Sequence, residues 1–156
     1  MKFKSTVQLA LFTLMAPIAA AAQTTLPLVG DYTCKLDFMH MMDGAEGMAM
    51  VSAATCTLEG DDKNTVSFTN NVLFDEKGTG KLINSNGLTE LNGKPATAFV
   101  GIESTWQLEM KDGQMAGYTA NGVNDIIAGE NTGKKIHWTA NPTGPDTLKI
   151  SYEVKD

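Results

Sequence analysis

Hydrophobic and polar residues alternate along most of this chain. In each of several short segments the apolar residues share one parity, and a period of two places them on one face of a half-buried β-strand. The segments are Tyr32 to Phe38, Ala54 to Leu58, Val66 to Phe74, Ser104 to Met110, Ile136 to Trp138 and Leu148 to Val154. Turn sequences separate them, and Asp112-Gly113 is typical of a two-residue hairpin turn. The pattern predicts about eight antiparallel strands and little helix.

The apolar faces of the predicted strands must be buried, and the sequence predicts no helices that could pack against them. An all-β chain of this kind closes into a barrel or folds into a two-sheet sandwich. Hairpins between successive strands favour the barrel. Because no linker or internal repeat divides the chain, we predict one domain over residues 23–156, a single antiparallel up-and-down barrel.

The first residues of the chain have the pattern of a secretory signal peptide, which we assign to residues 1–22. Two lysines precede an apolar run from Val7 to Ile18, and Ala20-Ala21-Ala22 supplies small residues for cleavage. The run is shorter than the about 20 apolar residues of a spanning helix. We therefore expect Sec-type export to the periplasm or out of the cell, without membrane insertion after cleavage. In an oxidising compartment Cys34 and Cys56 are predicted to form a disulfide.

The charge of the chain narrows the class of partner. The formal net charge is −6, and removal of the two leader lysines makes it more negative. All basic residues are lysine, whereas planar recognition of phosphate favours arginine, so a nucleic-acid partner is not expected. An acidic surface suits a basic protein such as lysozyme. One open alternative is therefore an extracytoplasmic protein-binding module, for example an inhibitor of a cell-wall hydrolase.

Three short motifs share their pattern with a known group of barrels. The opening reads Leu28-Val29-Gly30-Asp31-Tyr32, a hairpin reads Phe74-Asp75-Glu76-Lys77-Gly78-Thr79-Gly80, and a closing strand reads Asp146-Thr147-Leu148-Lys149-Ile150. They resemble the lipocalin-like, or calycin-like, small exported barrels of bacteria, with tyrosine in place of the tryptophan of the opening Gly-x-Trp motif. The resemblance implies a barrel with an internal cavity, of a kind that often binds small apolar molecules.

A small apolar ligand in that cavity is the leading functional hypothesis, with a monomeric protein. The expected cavity walls are Phe68, Trp106, Trp138 and Tyr152. Met39 and Met41 belong to the connection after the first strand, which commonly lies at the cavity mouth in lipocalin-like barrels. The opposing interpretation is plain core packing, because side chains alone can fill a small eight-stranded barrel.

The sequence contains no motif that we recognise as catalytic. Gly78-Thr79-Gly80-Lys81 is similar to the end of a phosphate-binding loop, but Asp75 occupies the place of its first glycine and Leu82 that of its magnesium-binding hydroxyl. We interpret it as a hairpin turn. His137 has the opposite parity to Ile136 and is expected to face solvent. No recognisable catalytic site is present, so we expect no enzymatic activity.

A methionine cluster lies between Met39 and Met50. If Cys34 faces Cys56 and the pairing continues, His40 lies opposite Met50 and Met42 opposite Met48, all on the inward parity. Thioether and imidazole donors suit Cu(I), which makes His40, Met42, Met48 and Met50 a hypothetical copper site. The competing hypotheses need no cofactor: a flexible methionine lid or core filler, or a loop that contacts another protein.

Overall fold

The computed structural model describes residues 29–155, and all of its regular structure is β-strand. The strands are β1 (Gly30–Gly44), β2 (Gly47–Leu58), β3 (Asp61–Phe74), β4 (Thr79–Leu91), β5 (Lys94–Lys111), β6 (Gln114–Gly129), β7 (Lys135–Pro142) and β8 (Thr147–Lys155). Each strand pairs antiparallel with the next, and β8 pairs with β1 to close the barrel. The predicted fold is confirmed, while the predicted leader over residues 1–22 lies outside the described residues.

The inward parity of each strand builds one continuous core. Cys34 lies directly opposite Cys56, and the predicted disulfide joins them. Trp106 and Trp138 are 4% and 9% exposed, as their parity predicts. A disulfide indicates an oxidising, extracytoplasmic environment. Between residues 29 and 155 there is no helix with the length and apolarity that a membrane crossing requires.

The predicted turns are present. Asp112 and Gly113 join β5 to β6 with φ angles of 55° and 77°, as a primed hairpin turn requires. Gly78 lies in the β3–β4 turn, where the Asp75 carboxylate accepts hydrogen bonds from the backbone N–H groups of Lys77 and Thr79. The phosphate-loop-like sequence is therefore a hairpin turn, as expected.

One β-bulge in β1 changes the predicted register of the methionine hairpin. Pairing from Tyr32 to Leu36 is as predicted, but at Asp37 the register shifts by one residue. His40 therefore faces Val51 and Met42 faces Ala49, instead of Met50 and Met48. Because side chains alternate between the faces of a strand, the extra residue exchanges the inner and outer faces of β1 beyond it.

The barrel wall is uneven at the end that carries the β1–β2, β3–β4, β5–β6 and β7–β8 turns, which we call the open end. Strand β8 begins at Thr147, opposite Lys35. Beyond the hydrogen bond from Leu36 N to Asp146 O at 2.8 Å, the segment Asp37–Gly44 therefore has no described strand on its β8 side. We call this segment the free edge of β1.

Strand β6, on the other side of the β7–β8 hairpin, also extends past its pairing with β7 toward the open end. Strand β6 pairs with β7 only from Ala120 to Asp125, so residues 114–119 have no pairing with β7. Strand β7 ends at Pro142, which has no backbone N–H to extend the ladder. The backbones of the described strands approach only those of their neighbours in the barrel order, so β1 and β6 do not close the gap above the β7–β8 hairpin. We call this gap the notch.

Candidate functional site

The aromatic residues expected to form cavity walls pack mainly against one another. Trp106 stacks on Tyr118 with ring centroids 5.8 Å apart, and it meets Trp138 edge to face at 6.0 Å. Their indole N–H groups are fixed by hydrogen bonds from Trp106 to Ser104 Oγ at 2.8 Å and from Trp138 to Asn124 Oδ1 at 3.3 Å. These contacts hold the large rings at the middle of the barrel in one interlocked arrangement.

Two small cavities lie among these side chains, each of about 20 Å³. Phe68 and Trp138 line both of them, Tyr152 lines one, and Trp106 and Met39 line the other. A cavity of this size holds about one water molecule. The expected wall residues are thus brought together, but these two cavities offer no preformed space for a larger ligand. Ligand binding inside the barrel stays a prediction.

The open end exposes part of the apolar interior. Leu36, Met39, Met41 and Met48 point inward and pack against the core, yet all are half-buried rather than buried. Met50, one layer deeper on β2, is only 1% exposed. Strand β8 begins only at Thr147. No described strand therefore covers Met39 and Met41 on the side of the notch. Methionine side chains therefore form an apolar surface that solvent reaches.

The outer face of the same hairpin is also apolar. Phe38 and Met42 are 40% and 53% exposed, and His40 lies exposed between them. The Phe38 and His40 rings lie 5.3 Å apart. The bulge at Asp37 thus places His40 and Met42 outside, while Met48 and Met50 face inside. The register proposed for the His40, Met42, Met48 and Met50 copper site was wrong, and the structure does not bring these four side chains together.

Acidic side chains surround the open end. The exposed carboxylates on its turns and strand ends are those of Asp43, Glu46, Asp75, Glu76, Glu109, Asp112 and Asp146. Lys77 and Lys111 are the exposed lysines in the same turns. This excess of negative charge gives the rim a field that attracts cations and basic peptides.

The outer face of β5 to β8 carries a second, polar depression of about 480 Å³. His137 lies in it directly opposite Glu153, and Glu103 lies on the same row of the sheet. His137 therefore faces outward, as its parity predicts. Across residues 29–155 no three or more His, Cys, Asp or Glu side chains are placed to hold a metal ion. This depression supplies no catalytic assignment, and the absence of enzymatic activity stays a prediction.

Three buried tyrosines lie in the core. Burial raises the pKa of the Tyr32, Tyr118 and Tyr152 hydroxyls, and the negative charge of Asp61 adds to the effect at Tyr32. The Tyr32 hydroxyl is buried without a hydrogen-bond partner. Tyr32 and Tyr152 pack edge to face at 5.5 Å. These phenols are neutral packing groups at ordinary pH.

Comparisons with known proteins give no family for this chain. No protein-family model matches its sequence, and no curated protein matches it. The lipocalin-like resemblance therefore stays a prediction that rests on its three motifs. The open end and the free edge of β1 present half-buried methionines and an unpaired strand edge among the described residues.

Proposed function

We propose that this protein is a binding module that acts outside the cytoplasm and captures an extended, basic segment of another protein along the free edge of β1. The proposal is supported by the extension of β1 beyond Lys35, which pairs with Thr147, the first residue of β8. Of the functions predicted from the sequence, this is the protein-binding alternative. We favour it because the two interior cavities are too small for a larger ligand.

An unpaired strand edge is a template for another strand. Its exposed N–H and C=O groups can form a ladder with an extended peptide, while side chains on alternate positions supply specificity. The free edge has no lysine or proline to block such pairing. An incoming strand would meet Met39 and Met41 on the inner face, and Phe38, His40 and Met42 on the outer face.

Charge favours a basic partner. The acidic rim flanks the free edge through Asp43 and Glu46 at the β1–β2 turn and Asp146 at the β7–β8 turn. Complementary charge speeds association and disfavours acidic partners. The Cys34–Cys56 disulfide and the predicted leader support an extracytoplasmic setting, in the periplasm or outside the cell.

The test uses a synthetic peptide of alternating lysine and valine, as long as the free edge, with an alternating glutamate and valine peptide as its control. We expect isothermal titration calorimetry to detect binding of the lysine peptide only. Phe38→Lys should weaken that binding by about tenfold or more, because it adds like charge and a residue that blocks edge pairing. Leu91→Lys is the matched control, since Leu91 is also 40% exposed but lies on β4 at the other end.

Several outcomes would overturn the proposal. These are equal binding of the two peptides, equal loss in the two lysine variants, or no binding. Sedimentation velocity adds an independent outcome. A dimer that dissociates in the Phe38→Lys variant would show that a second copy of the chain occupies the edge, contrary to the proposal.

A second candidate rests on a different observation, the half-buried methionines inside the open end. Under it, a small apolar molecule binds at the mouth of the barrel by displacing flexible thioether side chains. The neutral dye N-phenyl-1-naphthylamine tests this, because its fluorescence rises on transfer from water to an apolar site. Met39→Lys would abolish the rise, whereas Met115→Lys on the β5–β6 hairpin would not. No rise with the parent protein would exclude this candidate.

A further inference from the structure

The methionines of the described chain lie toward one end of the barrel. They are Met39, Met41 and Met42 on β1, Met48 and Met50 on β2, Met110 on β5 and Met115 on β6. The core toward the other end is built from residues such as Val66, Ile126 and Ile136 instead. Flexible filling of gaps would serve any part of the core, so it does not account for this segregation.

The register brings four of these methionines onto the inner face of one hairpin. Met41 lies directly opposite Met50. Met48 is the diagonal neighbour of Met41, and Met39 is the diagonal neighbour of Met50, so the four form a continuous zigzag. Directly opposite side chains have Cβ atoms about 4.5–5.5 Å apart and diagonal ones about 7–8 Å, distances that long methionine side chains can span.

We propose that Met39, Met41, Met48 and Met50 form a binding site for a single soft monovalent cation, Cu(I) or Ag(I). Thioether sulfur is a soft ligand that selects Cu(I) over hard cations such as Mg²⁺ and Ca²⁺. This ligand set differs from the one predicted from the sequence, because the Asp37 bulge replaces His40 and Met42 with Met39 and Met41. The site is made of sulfur donors alone.

The surroundings of the four side chains favour such a site. Met39, Met41 and Met48 are half-buried, so an ion entering through the open end can reach them. The acidic rim raises the local concentration of cations. Cys34 and Cys56, which lie on the same two strands, are joined to each other, so no free thiol competes for the ion. Cation binding at these methionines is independent of peptide binding at the free edge.

The first test is a competition between the protein and the chromogenic Cu(I) chelator bicinchoninate under anaerobic conditions. We expect the parent to withdraw one equivalent of Cu(I). The M39L/M41L/M48L/M50L variant should withdraw none, because leucine keeps the apolar volume and removes each sulfur donor. The matched control is M42L/M110L/M115L, which removes the remaining described methionines and should retain the full equivalent. Failure of the parent to compete, or equal loss in both variants, would overturn the proposal.

The second test does not depend on any variant folding correctly. Protein with ¹³C-labelled methionine methyl groups is titrated with Ag(I), and the methyl resonances are followed by NMR. The resonances of Met39, Met41, Met48 and Met50 should shift together and saturate at one equivalent, while those of Met42, Met110 and Met115 stay in place. Shifts spread over all methionines would show unspecific binding and contradict the site.

Discussion

At the scale of single residues, Asp37 decides which side chains the β1–β2 hairpin presents on each face. Its carboxylate accepts a hydrogen bond of 2.9 Å from the Thr55 hydroxyl on the outer surface. The extra residue turns Met39 and Met41 inward and Phe38 and Met42 outward. The choice of side chains on each face of the free edge, and of the methionines in the proposed cation site, follows from this single extra residue.

Deletion of Asp37 should join Leu36 directly to Phe38, which keeps its pairing with Ala53, so the side chains beyond the bulge stay on their present faces. We expect the free energy of unfolding to change by about 1 kcal/mol or less, since no side chain exchanges faces. Urea unfolding measures it. Asp37→Ala is the control, because it keeps the bulge and removes only an exposed hydrogen bond, at a cost of about 1 kcal/mol or less. A much larger loss on deletion than in Asp37→Ala would indicate that the faces had exchanged and would contradict the assigned pairing.

Tyr32 offers a second prediction at this scale. Its hydroxyl is buried without a partner, so Tyr32→Phe should raise the free energy of unfolding at neutral pH by about 1 kcal/mol. The pKa of Tyr32 is raised in the folded protein, whereas in the unfolded chain the phenol deprotonates near pH ~10. Above that pH the unfolded state holds fewer protons, and stability falls as pH rises.

Urea unfolding between neutral pH and about pH 11 checks both parts of the Tyr32 prediction. The Tyr32→Phe variant should show a shallower alkaline decline than the parent, with a remainder due to Tyr152 and Tyr118, whose pKa values are also raised. A variant that is less stable at neutral pH would indicate that the hydroxyl has a hydrogen-bond partner in solution.

At the scale of elements, hydrophobic alternation located six of the eight strands, whereas β4 and β6 contain no predicted segment and the facing of the methionine hairpin was not predicted. The parity of Tyr32, Cys34 and Leu36 is unambiguous, and the structure confirms it. From Met39 to Met42, however, methionine occupies both parities, so hydrophobic alternation cannot distinguish a bulged strand from a regular one. The sequence showed that the methionines of the proposed sites form a cluster. Which of them point into the barrel depends on the strand pairing, which only the structure gives.

The Cys34–Cys56 disulfide fixes the same hairpin below the bulge. Its replacement in the Cys34→Ala/Cys56→Ala variant should lower the free energy of unfolding by about 3 kcal/mol, because the unfolded chain regains the freedom of a loop with sequence separation 22. The measurement is urea unfolding of variant and parent. Thr33→Ala/Thr57→Ala changes the neighbouring cross-strand pair on the outer face and should cost about 1 kcal/mol or less. If the two double variants lose equal stability, the disulfide is not a main constraint on the chain.

At the scale of the whole molecule, pairing of β8 with β1 closes the barrel, and unequal strand lengths leave the gap in its wall. Strand β1 has 15 residues and β8 has 9. The turn sequence from Asn141 to Asp146 can be recognised in the chain. It ends β7 at Pro142 and makes the β7–β8 hairpin short. A comparison of segment lengths could have indicated the notch. The filled interior could not be predicted, because aromatic residues on the inward parity fit a packed core as well as a cavity wall.

The free edge of β1 pairs with no described strand on its β8 side, and we propose that it receives an extended basic peptide. Amide hydrogen exchange measured by NMR tests it residue by residue, in the free protein and with the lysine–valine peptide present. Within Asp37–Gly44, the amides that point away from β2 should exchange rapidly in the free protein, in contrast to the paired residues Tyr32 to Lys35. With the peptide at about ten times its Kd, their exchange should slow by about tenfold. Slow exchange of these amides in the free protein, or rates unchanged by the peptide, would contradict the account.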